Sequence, residues 1–217
     1  MTRVDVMVEG QTEETFVREL LYDPLVNRGV FLYPILLRTS AQGKGGVVSY
    51  GKVRSQVLRQ CLSDASAKVT TMIDLFRLPK DFPEKQACAA AQLYSRVDCL
   101  EQAFASDIGC GNFVPYLSVH EFEGLLFSDA TRFANWFDEP EPLQQLNTVA
   151  TGFQNPEHIN DGAQTAPSKR IESSLGRLGY QKPVHGPLIA MDIGLDCIRA
   201  QCPHFDAWVT KLEGLGV

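Results

Sequence analysis

The chain has 217 residues, 44% of them hydrophobic and 21% charged, enough apolar side chain for one sizeable core and too much for a disordered polypeptide. Its net charge of -6 argues against unaided gripping of long duplex nucleic acid, which then needs a local basic patch, a divalent metal or a partner. No apolar run approaches the ~18–20 residues of a membrane helix, and Met1-Thr2-Arg3-Val4-Asp5 lacks the layout of a secretion signal, so a cytoplasmic protein without a membrane partner is expected.

Residues 3–8 alternate polar and apolar and predict a strand that Gly10 ends. Thr12 then caps a helix, with Glu13 and Glu14 as favourable first-turn acids and Phe16, Val17, Leu20 and Leu21 as its apolar stripe. A second strand is predicted over 30–37, where Pro34 points to an edge or a bulge. Residues 42–46 read as a flexible loop; its glycines and Lys44 suggest a phosphate loop but fail the required spacing. A helix over 50–64, a strand over 69–74, a helix over 85–107 and a strand over 113–119 follow.

A helix-like stretch runs from Glu123 toward Trp136. Over 139–166 periodicity fades among prolines, which predicts a long irregular, lid-like segment. Pro167-Ser168-Lys169-Arg170 opens another helix, 187–202 reads as helical, and Pro203 is a break or a first helical residue. The tail packs through Phe205, Trp208 and Leu212, so 167–217 forms the helical C-terminal part of a single domain spanning 1–217. The six cysteines contain no CxxC pair; they make a poor zinc signature and a poor disulfide framework, and most are expected to be small buried apolar residues.

Strands separated by helices imply an open, mainly parallel α/β sheet flanked by helices, with ligands beyond the carboxyl ends of its strands. Acidic residues fall at three such ends: Glu9 after the first strand, Asp74 after the third, and Glu121 and Glu123 after the fourth. Carboxylates converging on one rim repel one another unless a hard cation lies between them, and oxygen-only ligands suit Mg²⁺ or Mn²⁺. Glu121 and Glu123 stand two apart, so one faces the site while the other faces solvent or an ion pair. His120 reads as a packed histidine, and His120-Glu121 is not the HExxH zinc motif because Gly124 stands where the second histidine belongs. Lys169 is a candidate cation for a phosphate group in its transition state.

Several blocks carry a resemblance: Val8-Glu9-Gly10-Gln11-Thr12-Glu13; Met72-Ile73-Asp74-Leu75-Phe76 with Pro79; His120-Glu121-Phe122-Glu123-Gly124-Leu125-Leu126-Phe127; Pro167-Ser168-Lys169-Arg170; and Cys202-Pro203-His204-Phe205 with Trp208. Together they resemble the bacterial and archaeal family known as domain of unknown function 4276, over nearly the whole chain. That family is similar to the Toprim domains of topoisomerases, primases and overcoming-lysogenization-defect nucleases. The resemblance implies a Toprim-like fold, Mg²⁺ use and pairing with an ABC-type ATPase in anti-phage defence. It makes Glu9 the Toprim glutamate, as ligand or general base, Asp74 the first acid of the Asp-x-Asp pair, and Lys169 the cation near the scissile phosphate. Phe76 stands at the second aspartate position, so Glu121 or Glu123 would supply the missing ligand. The expected function is a metal-dependent nuclease acting on DNA or RNA; the alternative is a non-enzymatic Toprim-like module that binds and regulates a partner ATPase.

Overall fold

Alternation at the start of the chain builds the centre of the molecule. In the computed structural model, which describes residues 1–38, 49–76, 78–159, 162 and 164–216, strand β1 is Thr2–Val8. Val4, Val6 and Val8 enter the core on one side of the sheet and Met7 enters the core on the other, as a period of two requires. Helix α1 (Gln11–Phe16) starts directly after Gly10 and runs through a π-helical turn, Val17–Leu21, into α2 (Tyr22–Val26). Strand β2 (Val30–Leu36) lies at the sheet edge, where Pro34 can lack an N–H without breaking a ladder. The glycine loop around Lys44 lies outside the described residues.

Helix α3 (Tyr50–Ser63) leads to β3 (Lys68–Asp74), which pairs with β1 on the side opposite β2. A short 3₁₀ turn, Ala87–Ala90, and helix α4 (Leu93–Ile108) replace the single helix expected over 85–107. The fourth strand is split into β4 (Phe113–Val114) and β5 (Leu117–Ser118), both parallel to β3 and in the same register. Pro115 falls in the break, and the Thr71 side chain mends it. The Tyr116 N–H donates to Thr71 Oγ1 at 3.1 Å, and the Thr71 hydroxyl donates to the Tyr116 carbonyl at 2.9 Å. The sheet order is β2-β1-β3-β4, with β5 continuing beside β3, and every pairing is parallel. The expected α/β class holds.

Beyond β5 the chain is helical: a 3₁₀ stretch Phe122–Asn135 that kinks at the extended residue Asp129, α5 (Pro140–Thr151), a 3₁₀ turn Pro156–His158, α6 (Pro167–Leu175), α7 (Lys182–Ile193), α8 (Leu195–Gln201) and α9 (Pro203–Glu213). The irregular segment expected over 139–166 is therefore corrected: twelve of its residues form α5. Its prolines misled because they sit in first turns, where no N–H is needed: Pro140 and Pro142 in α5, Pro156 in the 3₁₀ turn, and Pro167 opening α6. Helix α7 begins at Lys182, five residues before the proline taken as its start, because Pro187 is carried inside the helix. Gly194, at φ +83°, separates α7 from α8.

The helices make two cores. Phe104, Val57 and Cys61 of α3 and α4 pack on one sheet face; Phe16, Phe122, Ile189, Phe205 and Trp208 pack on the other. The cysteine expectation also needs correction, since Cys88 and Cys99 form a disulfide between the 3₁₀ turn and α4. Cys61 and Cys202 are free and buried, as expected. Among the described residues no helix is long and apolar enough to cross a membrane.

Candidate metal centre

Because the strands are parallel, Val8, Asp74 and Ser118 end on one rim, and the acids that follow them gather there. Glu9 Oε1 accepts the backbone N–H of Asp74 at 3.3 Å, which ties the end of β1 to the end of β3. Asp74 Oδ1 accepts the Phe122 N–H at 3.0 Å, which draws the residues after β5 to the same point. His120 takes a left-handed backbone, φ 60°, to make that crossing, and its carbonyl accepts the Phe76 N–H at 2.9 Å.

Glu123 is 1% exposed, and its Oε2 accepts from Lys182 Nζ at 2.9 Å. Glu13, buried on α1, places Oε1 3.6 Å from the same ammonium. Close approach of α7 makes this possible. A Cβ on Gly186 would meet the Phe122 ring at 3.2 Å and Thr12 Cγ2 at 3.3 Å. Gly10 likewise leaves room for Glu13, whose Oε2 would lie 3.1 Å from a Cβ there.

The electrostatics follow from this crowding. Burial pushes the Asp74 carboxyl well above the usual aspartate value; Lys182 opposes that shift, while Glu9, Glu13 and Glu123 reinforce it. Burial also raises Glu123, again against Lys182 and with help from Glu121. For Lys182, burial disfavours the ammonium, but Glu123, Asp74 and Glu13 outweigh it and hold its pKa above the ordinary lysine value. Three carboxylates, Glu13, Asp74 and Glu123, thus share one ammonium in a crowded place, and Glu9 adds its charge to that of Asp74. The donor set is oxygen only and suits a hard divalent cation in kind, but no three of these residues bring ligand atoms within 4.8 Å of one another, so a cation would have to draw them closer.

Glu9, Asp74 and Glu123 lie at the same rim, Glu9 bonded to the Asp74 backbone and Glu123 paired with Lys182. Glu121 is turned elsewhere: its Oε2 accepts the Ser168 N–H at 3.0 Å, at the first turn of α6. The two acids thus divide, but the first of them, Glu121, is buried and anchors a helix rather than facing solvent or an ion pair. Lys169 is not the cation held among the carboxylates; its Nζ pairs with Glu172 Oε2 at 2.6 Å, three residues along α6.

Two members of the cluster were missed. Glu13 was set down as a first-turn acid, although its four-residue spacing from Glu9, with Gly10 between, carries both onto the rim. Lys182 was hidden by the reading of Pro187 as a helix start, which left Lys182 in an assumed loop. Pro183, at the second position of α7, was the available signal.

The model of one protein family, described as Domain of unknown function (DUF4276), matches residues 8–213. No curated protein matches the chain. Among solved structures, the C-terminal region of the Xanthomonas campestris pv. campestris OLD protein is similar at 13% identity and a TM-score of 0.39, covering 97% of each chain.

Proposed function

The chain belongs to the DUF4276 family, and we propose that it is a metal-dependent nuclease of Toprim-like type. It would hydrolyse phosphodiester bonds of DNA or RNA as the catalytic partner of an ABC-type ATPase in anti-phage defence. The observation that supports this is the gathering of Glu13, Asp74 and Glu123 about Lys182 at the carboxyl rim of a parallel sheet, with Glu9 bonded to the Asp74 backbone. Glu9, Glu13, Asp74 and Glu123 would hold Mg²⁺ or Mn²⁺, while Glu121 anchors the first turn of α6 beside them. When bound, the cation supplies Lewis-acid activation of water and neutralisation of phosphate charge.

The chain's own groups do the rest. Lys182 Nζ donates to a phosphate oxygen and offsets the charge that builds there. Glu9, at the open end of β1 and less buried than Glu13 or Glu123, takes the proton of the attacking water on its carboxylate. Asp74, fixed by the Phe122 N–H, keeps the rim in register during the reaction. Lys169, part-exposed on α6, makes an outer contact to the nucleic-acid backbone.

The test is cleavage of plasmid and of RNA in Mn²⁺ by the chain alone, the partner ATPase alone and both together, repeated with Glu9→Ala. Cleavage by the pair that Glu9→Ala abolishes is the expected result; equal cleavage by the variant refutes the assignment. One observation favours the second reading, a regulatory module. Phe76 holds the second Asp-x-Asp position, and Lys182 already offsets part of the cluster's charge. Failure of every combination to cut selects that reading.

A further inference from the structure

A second group of ligand atoms, sharing no residue with those acids, lies where α4 meets α9. Asp98 and Glu101, three residues apart, share one face of α4, and His204 stands in the first turn of α9. One ligand atom from each lies within 4.8 Å of the other two. Glu101 and His204 are buried and Asp98 is exposed, so the group has a dry floor and an open side.

The distances inside the group suit a shared cation. Two ligand atoms each about 2.1 Å from a tetrahedral cation lie about 3.4 Å apart. Glu101 Oε1 and His204 Nε2 are 3.0 Å apart and hydrogen-bonded to each other, so a cation between them replaces that bond and spreads them by a few tenths of an ångström. Glu101 Oε1 is also held by the Leu117 N–H at 2.8 Å, which fixes its carboxylate without using both oxygens. The His204 backbone is fixed as well, since its N–H donates to Glu157 Oε2 at 3.0 Å and the Phe205 N–H donates to Glu157 Oε1 at 3.0 Å. Asp98, on the surface, has the freedom to swing onto a third position.

An independent observation points to a missing occupant. Tyr116, 1% exposed, stacks on the His204 ring at 5.4 Å, yet its buried hydroxyl has no hydrogen-bond partner among the described residues. Burial, then the charges of Glu157, Cys202 and Glu101, hold that phenol well above its ordinary pKa, against the lowering effect of the neighbouring Ser118 side chain. A buried phenol without a partner is costly unless a water or a hydrated ion takes it up.

We infer that Asp98, Glu101 and His204 form a divalent-cation site of borderline, zinc-like preference that clamps α9 onto α4. One imidazole nitrogen with two carboxylates suits Zn²⁺ or Mn²⁺ better than Mg²⁺, and a ligand from the water shell would meet the Tyr116 hydroxyl. The site shares no residue with the rim cluster, so it stands whether or not the chain is a nuclease.

The test is calorimetric titration of Zn²⁺ into the full chain carrying Asp74→Asn, which weakens the rim cluster while keeping an acceptor for the Phe122 N–H. The expected result is one Zn²⁺ per chain at this site and a raised melting temperature. Adding Asp98→Asn, a surface change that leaves the fold intact by circular dichroism, should weaken binding at least about tenfold. His204→Gln should abolish both the heat and the thermal shift. No Zn²⁺ binding in the Asp74→Asn parent, or affinity unchanged by Asp98→Asn, overturns the site and leaves Glu101 and His204 as a buried ion pair.

Discussion

Replacing Lys182 by methionine isolates the part played by the single ammonium among the acids. Methionine keeps much of the stem that packs near Phe122, whose ring centre lies 6.0 Å from the Lys182 nitrogen, and removes only the charge. Breaking a fully buried ion pair costs ~3–5 kcal/mol and losing a surface pair ~0–1 kcal/mol. Here the glutamate is 1% exposed and the lysine 36% exposed, so the pair falls between those limits, at about 2 kcal/mol. For a chain of this length that is a drop of about 4–8 °C in melting temperature. The loss should shrink at acid pH, where Glu123 takes a proton and no longer needs its partner. It should also shrink in millimolar Mg²⁺, which replaces the missing positive charge. Differential scanning calorimetry of both proteins, with Mg²⁺ and with EDTA, reads all three effects. A melting temperature within about 1 °C of the parent in EDTA, or a deficit that Mg²⁺ leaves unchanged, refutes the assignment of Lys182 as counter-ion to a metal cluster.

Four further outcomes follow from the same geometry. Asp74→Ala should abolish Mg²⁺ binding in a calorimetric titration, and equal affinity in both proteins would remove Asp74 from the site. Glu121→Gln should leave Mg²⁺ affinity nearly unchanged yet cost about 1 kcal/mol in urea unfolding, as loss of a charged partner for a helix N-terminus does; a large loss of metal affinity would return Glu121 to the ligand set. The folded pKa values of Asp74 and Glu123 lie above the ordinary 3.8 and 4.5, so their stabilising effect is complete below those values and is lost as pH rises through the folded ones. Without metal, stability should therefore fall as pH rises from the usual carboxylate range, and a slope unaltered by Asp74→Asn with Glu123→Gln would contradict this. Gly186→Ala should cost about 1–3 kcal/mol by overpacking against Phe122 and Thr12 and weaken metal binding with it; unchanged melting and affinity would show that α7 need not sit so close.

The sheet was legible because each strand was short, rich in β-branched and other apolar residues, and closed by a strong signal. Gly10 ends the first, and Leu78-Pro79 follows soon after the third. The helices beyond β5 were less legible because local signals competed. Proline stops a helix from within but starts one from its first turn, and the residues alone do not say which turn they occupy. Pro140, Pro142 and Pro156 were read as breakers and proved to be starters; Pro187 was read as a starter and proved to be carried inside α7. The split of the fourth strand at Pro115 depends on a distant Thr71 hydroxyl, a partner no local window contains.

The rim cluster was partly legible for the same reason that the sheet was. Glu9 and Asp74 each follow a strand, and parallel strands carry their ends to one side, so strand assignment alone brings those acids together. Lys182 is different in kind. It lies more than a hundred residues beyond Asp74 and reaches the rim only because Gly186 lets α7 approach Phe122 and Thr12. A glycine inside a helix, followed at once by a proline, reads locally as a defect. In three dimensions it is the contact that sets an ammonium among three carboxylates, and the charge balance of the whole centre depends on it.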